Sequence, residues 1–119
     1  MSASGAASPD PQQSEIYAAF KRLYDSLNDA YWAASTTEAK DRISGERDEV
    51  YLVIMDLVAE DIRSRTAEFQ ALSAKVAGVN NRLEALSKDI ANLVARITTV
   101  NAVVADIAQV VSLARAFFP

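Results

Sequence analysis

From Phe69 to Phe118, apolar residues return at alternating steps of three and four. One row is Phe69, Val76, Leu83, Ile90, Ile97, Val104, Val111 and Phe118; the other is Leu72, Val79, Leu86, Leu93, Val100, Ile107 and Ala114. No position in either row is polar. A seven-residue repeat keeps both rows on one side of a slightly underwound helix, where they can meet a partner helix. Kept up over about seven heptads, this repeat predicts an all-α fold with coiled-coil packing.

Upstream, Asp10-Pro11-Gln12-Gln13 has the chemistry of a helix start. Asp caps, Pro is preorganised for the first turn, and Gln13 stands where a capping-box partner belongs. Helix 1 is expected over about residues 11–34, with Ile16, Phe20, Leu23, Leu27, Ala30 and Ala34 as its apolar face. Ser35-Thr36-Thr37 ends it, because these residues favour caps over helix interiors. The small, polar residues 1–9 read as a disordered N-terminal tail.

Helix 2 begins near residue 38. From Val50 to Ile62 its apolar face is broad, with Val50, Tyr51, Leu52, Val53, Ile54, Met55, Leu57, Val58 and Ile62. That is wider than one neighbouring helix needs. Two readings are then open at Gly78. In the first, Gly78 is a left-handed helix end, Asn81 caps the next helix and Glu84 completes its capping box. Helix 2 then spans about 38–77 and helix 3 about 81–117, a long antiparallel hairpin whose coiled-coil stalk is joined by the shorter helix 1 into a three-helix bundle. In the second, the heptad phase runs on through Gly78 as one continuous long helix in a parallel coiled coil. The matched breadths of 50–62 and 94–117 favour the hairpin.

Charge is uneven. Residues 1–61 hold five basic and twelve acidic side chains, and residues 62–119 hold seven basic and four acidic. Such halves suit antiparallel pairing within a chain, and head-to-tail association as well. The net charge of −4 argues against nucleic acid as the partner. Either architecture leaves helix faces to be covered, so a homo-oligomer is expected.

The chain has no Cys and no His, which removes disulfides, thiolate metal sites, the usual general base and most zinc sites. Asp56, Glu60 and Asp61 cluster on helix 2, but their expected role is a solvated acidic face. The three glycines form no phosphate-binding loop. No catalytic residue, cofactor or metal is expected, and the chain reads as a non-enzymatic interaction or assembly module. The candidate partner-binding residues are Trp32 beside the first turn, Asn80, Asn81 and Arg82 at the expected stalk tip, and Phe117 and Phe118 at the C-terminus. Trp32 has a second reading as a plug sealing the corner between helices 1 and 2.

A different class of function rests on Ile90–Phe118, which carries only Arg96, Asp106 and Arg115 as charges. This segment has the composition of a membrane-active helix, as in a small pore-forming toxin subunit. Interfacial helices usually carry a Lys/Arg-rich polar face, which this one lacks. A signal-peptide pattern and an uninterrupted apolar run of about eighteen residues are both missing, so the expected location is cytoplasmic, with signal-independent secretion left open.

Overall fold

The computed structural model describes residues 10–58 and 61–118. These form four α-helices: α1 (Pro11–Ala33), α2 (Thr37–Leu57), α3 (Thr66–Leu93) and α4 (Ile97–Phe117), with a 3-10 turn at Ile62–Ser64 between α2 and α3. The expected tail at residues 1–9 lies outside the described residues.

Local chemistry explains two of the helix starts. Asp10 Oδ1 accepts from Gln12 N at 2.8 Å with Pro11 in the first turn. Thr36 Oγ1 accepts from Ala39 N at 3.0 Å, and residues 34–36 link α1 to α2. These bonds satisfy backbone donors that a helix leaves open at its N-terminus.

The chain reverses between α2 and α3, and Gly78 lies inside α3. Neither the 38–77 and 81–117 hairpin nor the continuous helix is formed, and no described glycine has positive φ. The cause is tertiary. Gln13 of α1 is buried, and its Nε2 donates to Leu57 O at 3.0 Å while its Oε1 accepts from Ile62 N at 3.2 Å. One side chain thus satisfies an open carbonyl at the end of α2 and an open amide of the following turn. Arg63 ties the same turn to Asp10 Oδ2 at 3.0 Å and to Gln12 Oε1 at 2.7 Å. Gly78 then needs no special conformation; within a long packed helix it costs about 1 kcal/mol relative to Ala.

A second break replaces the expected single helix over 81–117. Val94 is extended, pairs with Ala34 in an isolated antiparallel bridge, and is followed by α4. Ser35 N donates to Leu93 O at 2.9 Å, so the end of α3 is closed by the α1–α2 connection. The break resets the rotational phase. In α4 the buried residues are Val100, Val103, Ile107, Val110, Val111, Ala114 and Phe117. Val103, Val110 and Phe117 have taken the inward place expected of Ile97 and Val104, which are exposed.

α1 and α3 each pack against both α2 and α4, so α2 and α4 occupy opposite corners. Sequence neighbours are antiparallel: Gln13 meets Leu57 while Asn28 meets Arg47, and Asp56 meets Lys75 while Arg42 meets Asp89. The bundle measures 52 × 26 × 20 Å. Its core runs continuously from Ile16, Phe20 and Leu23 through Val50, Leu83, Leu86 and Ile107.

Candidate functional site

α2 has a row of ion pairs on the side facing α3. Arg42, Glu49 and Asp56, seven residues apart, meet Asp89, Arg82 and Lys75, also seven apart, at 2.8, 2.7 and 2.8 Å. On its other flank α2 meets the tyrosines of α1. Tyr17, Tyr24 and Tyr31 recur every seven residues along α1 and are half-buried. The Tyr24 ring lies 6.1 Å from that of Tyr51, and the Arg47 guanidinium and Lys40 ammonium sit over the Tyr31 ring at 5.0 and 4.9 Å. Tyr24 and Tyr31 thus border α2, and Tyr51 lies on it.

Between these flanks α2 has an outward face that none of the described residues covers. Tyr51, Leu52, Met55 and Val58 stand on it, with Leu52 54% and Val58 57% exposed. Their spacing, i, i+1, i+4 and i+7, makes one apolar ridge. The preceding turns of the same face carry Asp41, Ser44, Gly45 and Asp48, with Arg47 and Lys40 at its edge over the Tyr31 ring. A signal for these residues existed in the sequence: the apolar face over 50–62 is broader than its neighbours require. Val50, Val53, Ile54 and Leu57 fill the core, and the excess faces outward.

The face between α3 and α4 offers a trough. Glu84, Ser87 and Lys88 of α3 and Val104, Ala108 and Arg115 of α4 bound an open groove of about 510 Å³. Its apolar floor is Val104, which the bundle core leaves out, with the buried Val111 one heptad on. Ile97, 64% exposed, stands on the same side of α4 one heptad before Val104.

The six sequence candidates are scattered. Trp32 is 72% exposed at the end of α1, edge-on to Tyr31 at 5.1 Å, so it does not plug the corner. It borders a separate cleft with Asp29, Arg96 and Thr99. Asn80, Asn81 and Arg82 are not a stalk tip but the middle of α3. Asn80 is buried with its Oδ1 unpartnered, Asn81 is exposed, and Arg82 Nε donates to Glu49 at 2.7 Å. Phe117 is buried and Phe118 half-buried. Together with Phe69 they make an aromatic cluster, with centroids 4.9 to 5.7 Å apart and Arg63 4.2 Å over Phe117.

Of the acidic group on helix 2, Asp56 is paired with Lys75, Asp61 begins the 3-10 turn, and Glu60 lies outside the described residues. Glu46, half-buried on α2, has its pKa raised above the ordinary carboxylate value by burial and then by Glu49; Arg82 and Arg42 oppose this. Its Oε2 has no hydrogen-bond partner.

Comparison with known families, curated proteins and solved structures finds no match to this chain.

Proposed function

We propose that the protein is a non-enzymatic helical interaction module, and that the ridge on α2 is the surface it presents to protein partners. The observation that carries this reading is the exposure of Tyr51, Leu52, Met55 and Val58 together on a helix anchored on both flanks. Exposed large apolar residues are ordinary when scattered; a contiguous set marks a contact surface. Tyr and Met are also favoured at interfaces, where the first gives rigid area and the second adapts its shape. The ion pairs to α3 and the tyrosines of α1 hold the ridge in place before binding, which lowers the ordering cost of association.

The test is a photo-crosslinking residue placed at Leu52 in the cell of origin, with Gln109 on the far corner as a control. The reading expects one defined protein adduct from position 52, lost when Met55→Asp is added. No specific protein adduct at 52 would contradict it.

The membrane-active reading has one observation in its favour. α4 is a helix long and apolar enough to cross a bilayer, with a mean hydropathy of 1.6. Most of its large residues, however, fill the bundle core; Ile97 and Val104 are exposed, and the rest of its outward side is mainly Asn101, Ala102, Ala105, Ala108 and Gln109. Membrane entry would require this core to open first. Dye release from liposomes at low protein concentration would support that route.

A further inference from the structure

We infer that the ridge of one copy docks into the α3–α4 groove of a second copy, joining molecules head to tail; this rests on the reading of the ridge as an interaction surface. Three features of the two surfaces select a second copy.

The first is shape. The outward face of α2 carries a convex apolar ridge, Leu52 and Met55 at its crest, and the α3–α4 face carries a trough floored by Val104 and Val111. Two surfaces on different sides of one packed bundle cannot meet within it. They can meet between copies.

The second is charge. The outward face of α2 bears Asp41 and Asp48, and among the described residues neither makes a close ion pair; Asp48 lies 3.7 Å from Arg47 Nε on its own helix. The groove is bordered by Lys88, which has no carboxylate partner among the described residues, by Arg115, and by Glu84, which Arg115 reaches only at 3.8 Å, so its border carries two positive charges and one negative. Acidic ridge against basic border is attractive, whereas a parallel twofold pairing of two ridges sets carboxylates against carboxylates. That favours the heterologous contact over the parallel twofold one, and variants of the ridge and the groove separate it from an antiparallel one.

The third is the repeat itself. Ile97, Val104 and Val111 continue the heptad row of α3 without a polar interruption. The monomer covers Val111 but leaves Ile97 and Val104 exposed. A helix from a second copy, laid along the groove, would cover the remainder and give the repeat the coiled-coil partner that its spacing calls for. A heterologous contact of this kind leaves one ridge and one groove free at the ends of every assembly, so it propagates into chains or closes into a ring.

The experiment uses two variants, Met55→Asp with a dead ridge and Val104→Glu with a dead groove. Both positions are exposed, and far-UV circular dichroism checks that each variant stays folded. In sedimentation velocity at low salt, the wild-type chain is expected to form species larger than a dimer as concentration rises. Each variant alone is expected to be monomeric. Mixed one to one, they should form a heterodimer and go no further, because one intact ridge and one intact groove remain. Adding salt to about 0.5 M should weaken the complex about tenfold or more, as expected of exposed charge pairs.

A wild-type chain that stays monomeric at about 1 mM overturns the inference; that concentration corresponds to only about 4 kcal/mol of association. So does a dimer broken by Met55→Asp and left intact by Val104→Glu, which would mean a twofold ridge–ridge contact. Failure of the mixed variants to associate overturns it as well. If position 52 crosslinks a different protein while the chain is monomeric, the head-to-tail contact fails and the interaction reading stands.

Discussion

Lys75 Nζ lies 2.8 Å from Asp56 Oδ2. Those two residues fix the direction of the chain. Asp56 is one residue from the end of α2, and Lys75 is nine residues into α3. Their contact needs the reversal to fall between them. The pairs Glu49–Arg82 and Arg42–Asp89 repeat the contact at seven-residue intervals toward the other end of the bundle. A shift of register by a turn would break all three.

Reversing one member of a pair, as in Asp56→Lys, should therefore lower stability, and the swap Asp56→Lys/Lys75→Asp should recover most of the loss. All three pairs are partly solvent-exposed, so each single reversal costs about 0.5 kcal/mol, rising toward about 1 kcal/mol where like charges face each other. Urea unfolding of the two single variants and the swap gives the coupling directly. Equal, additive losses without recovery would place the two residues apart.

Gln13 sets the position of the reversal by bonding to Leu57 O and Ile62 N. Gln13→Ala strands a carbonyl and an amide close to the core. The expected loss is about 1–3 kcal/mol, well above that of an exposed Gln→Ala change. Gln12→Ala is the comparison, since Gln12 is exposed and its Oε1 only accepts from Arg63. Urea midpoints rank the two, and similar values for both would contradict the bridging role.

These bonds also show why the sequence was readable in some places and not in others. The caps at Asp10 and Thr36 involve residues two and three positions away, and local spacing exposes them. Gln13 reaches across 44 and 49 residues, so nothing near Leu57 announces that α2 stops there. At Val94 the heptad rows pass through the break in phase, and no Gly or Pro marks it; the signal lies in Ala34 and Ser35, on another turn. Gly78 and Asn81 carried the residue types of a helix end without the tertiary partners to make one. The ridge was half legible. Its apolar breadth shows in the sequence, but which residues face outward depends on where α1 and α3 lie.

Glu46 makes stability depend on pH. Its raised pKa means that the folded chain holds the proton more tightly than the unfolded chain does. Between the ordinary value of 4.5 and the raised folded value, the native state binds more protons, so stability falls as pH rises through that window. Below the window the two states are equally protonated, and above it both are ionised. Glu46→Gln should remove this descent while leaving the contribution of other carboxylates, measured as urea midpoints from about pH 4 to about pH 7. An unchanged pH profile in Glu46→Gln would contradict the burial of this carboxyl group.

Gly45 and Gly78 both lie within helices. A Cβ at Gly45 would meet nothing within 4 Å, and one at Gly78 would touch the Arg82 guanidinium at an ordinary 3.5 Å. Gly45→Ala should therefore stabilise by about 1 kcal/mol through helix propensity and reduced freedom of the unfolded chain.

The most direct measurement is the equilibrium unfolding of Gly78→Ala beside that control. With the reversal at the Gln13 bridge and α3 unbroken through residue 78, alanine raises stability by about 1 kcal/mol, as at Gly45. A left-handed turn at 78 would instead be strained by the new Cβ, and stability would fall by about 1 kcal/mol or more. A fall at Gly78 with a rise at Gly45 would contradict the four-helix arrangement and the ridge and groove that it creates.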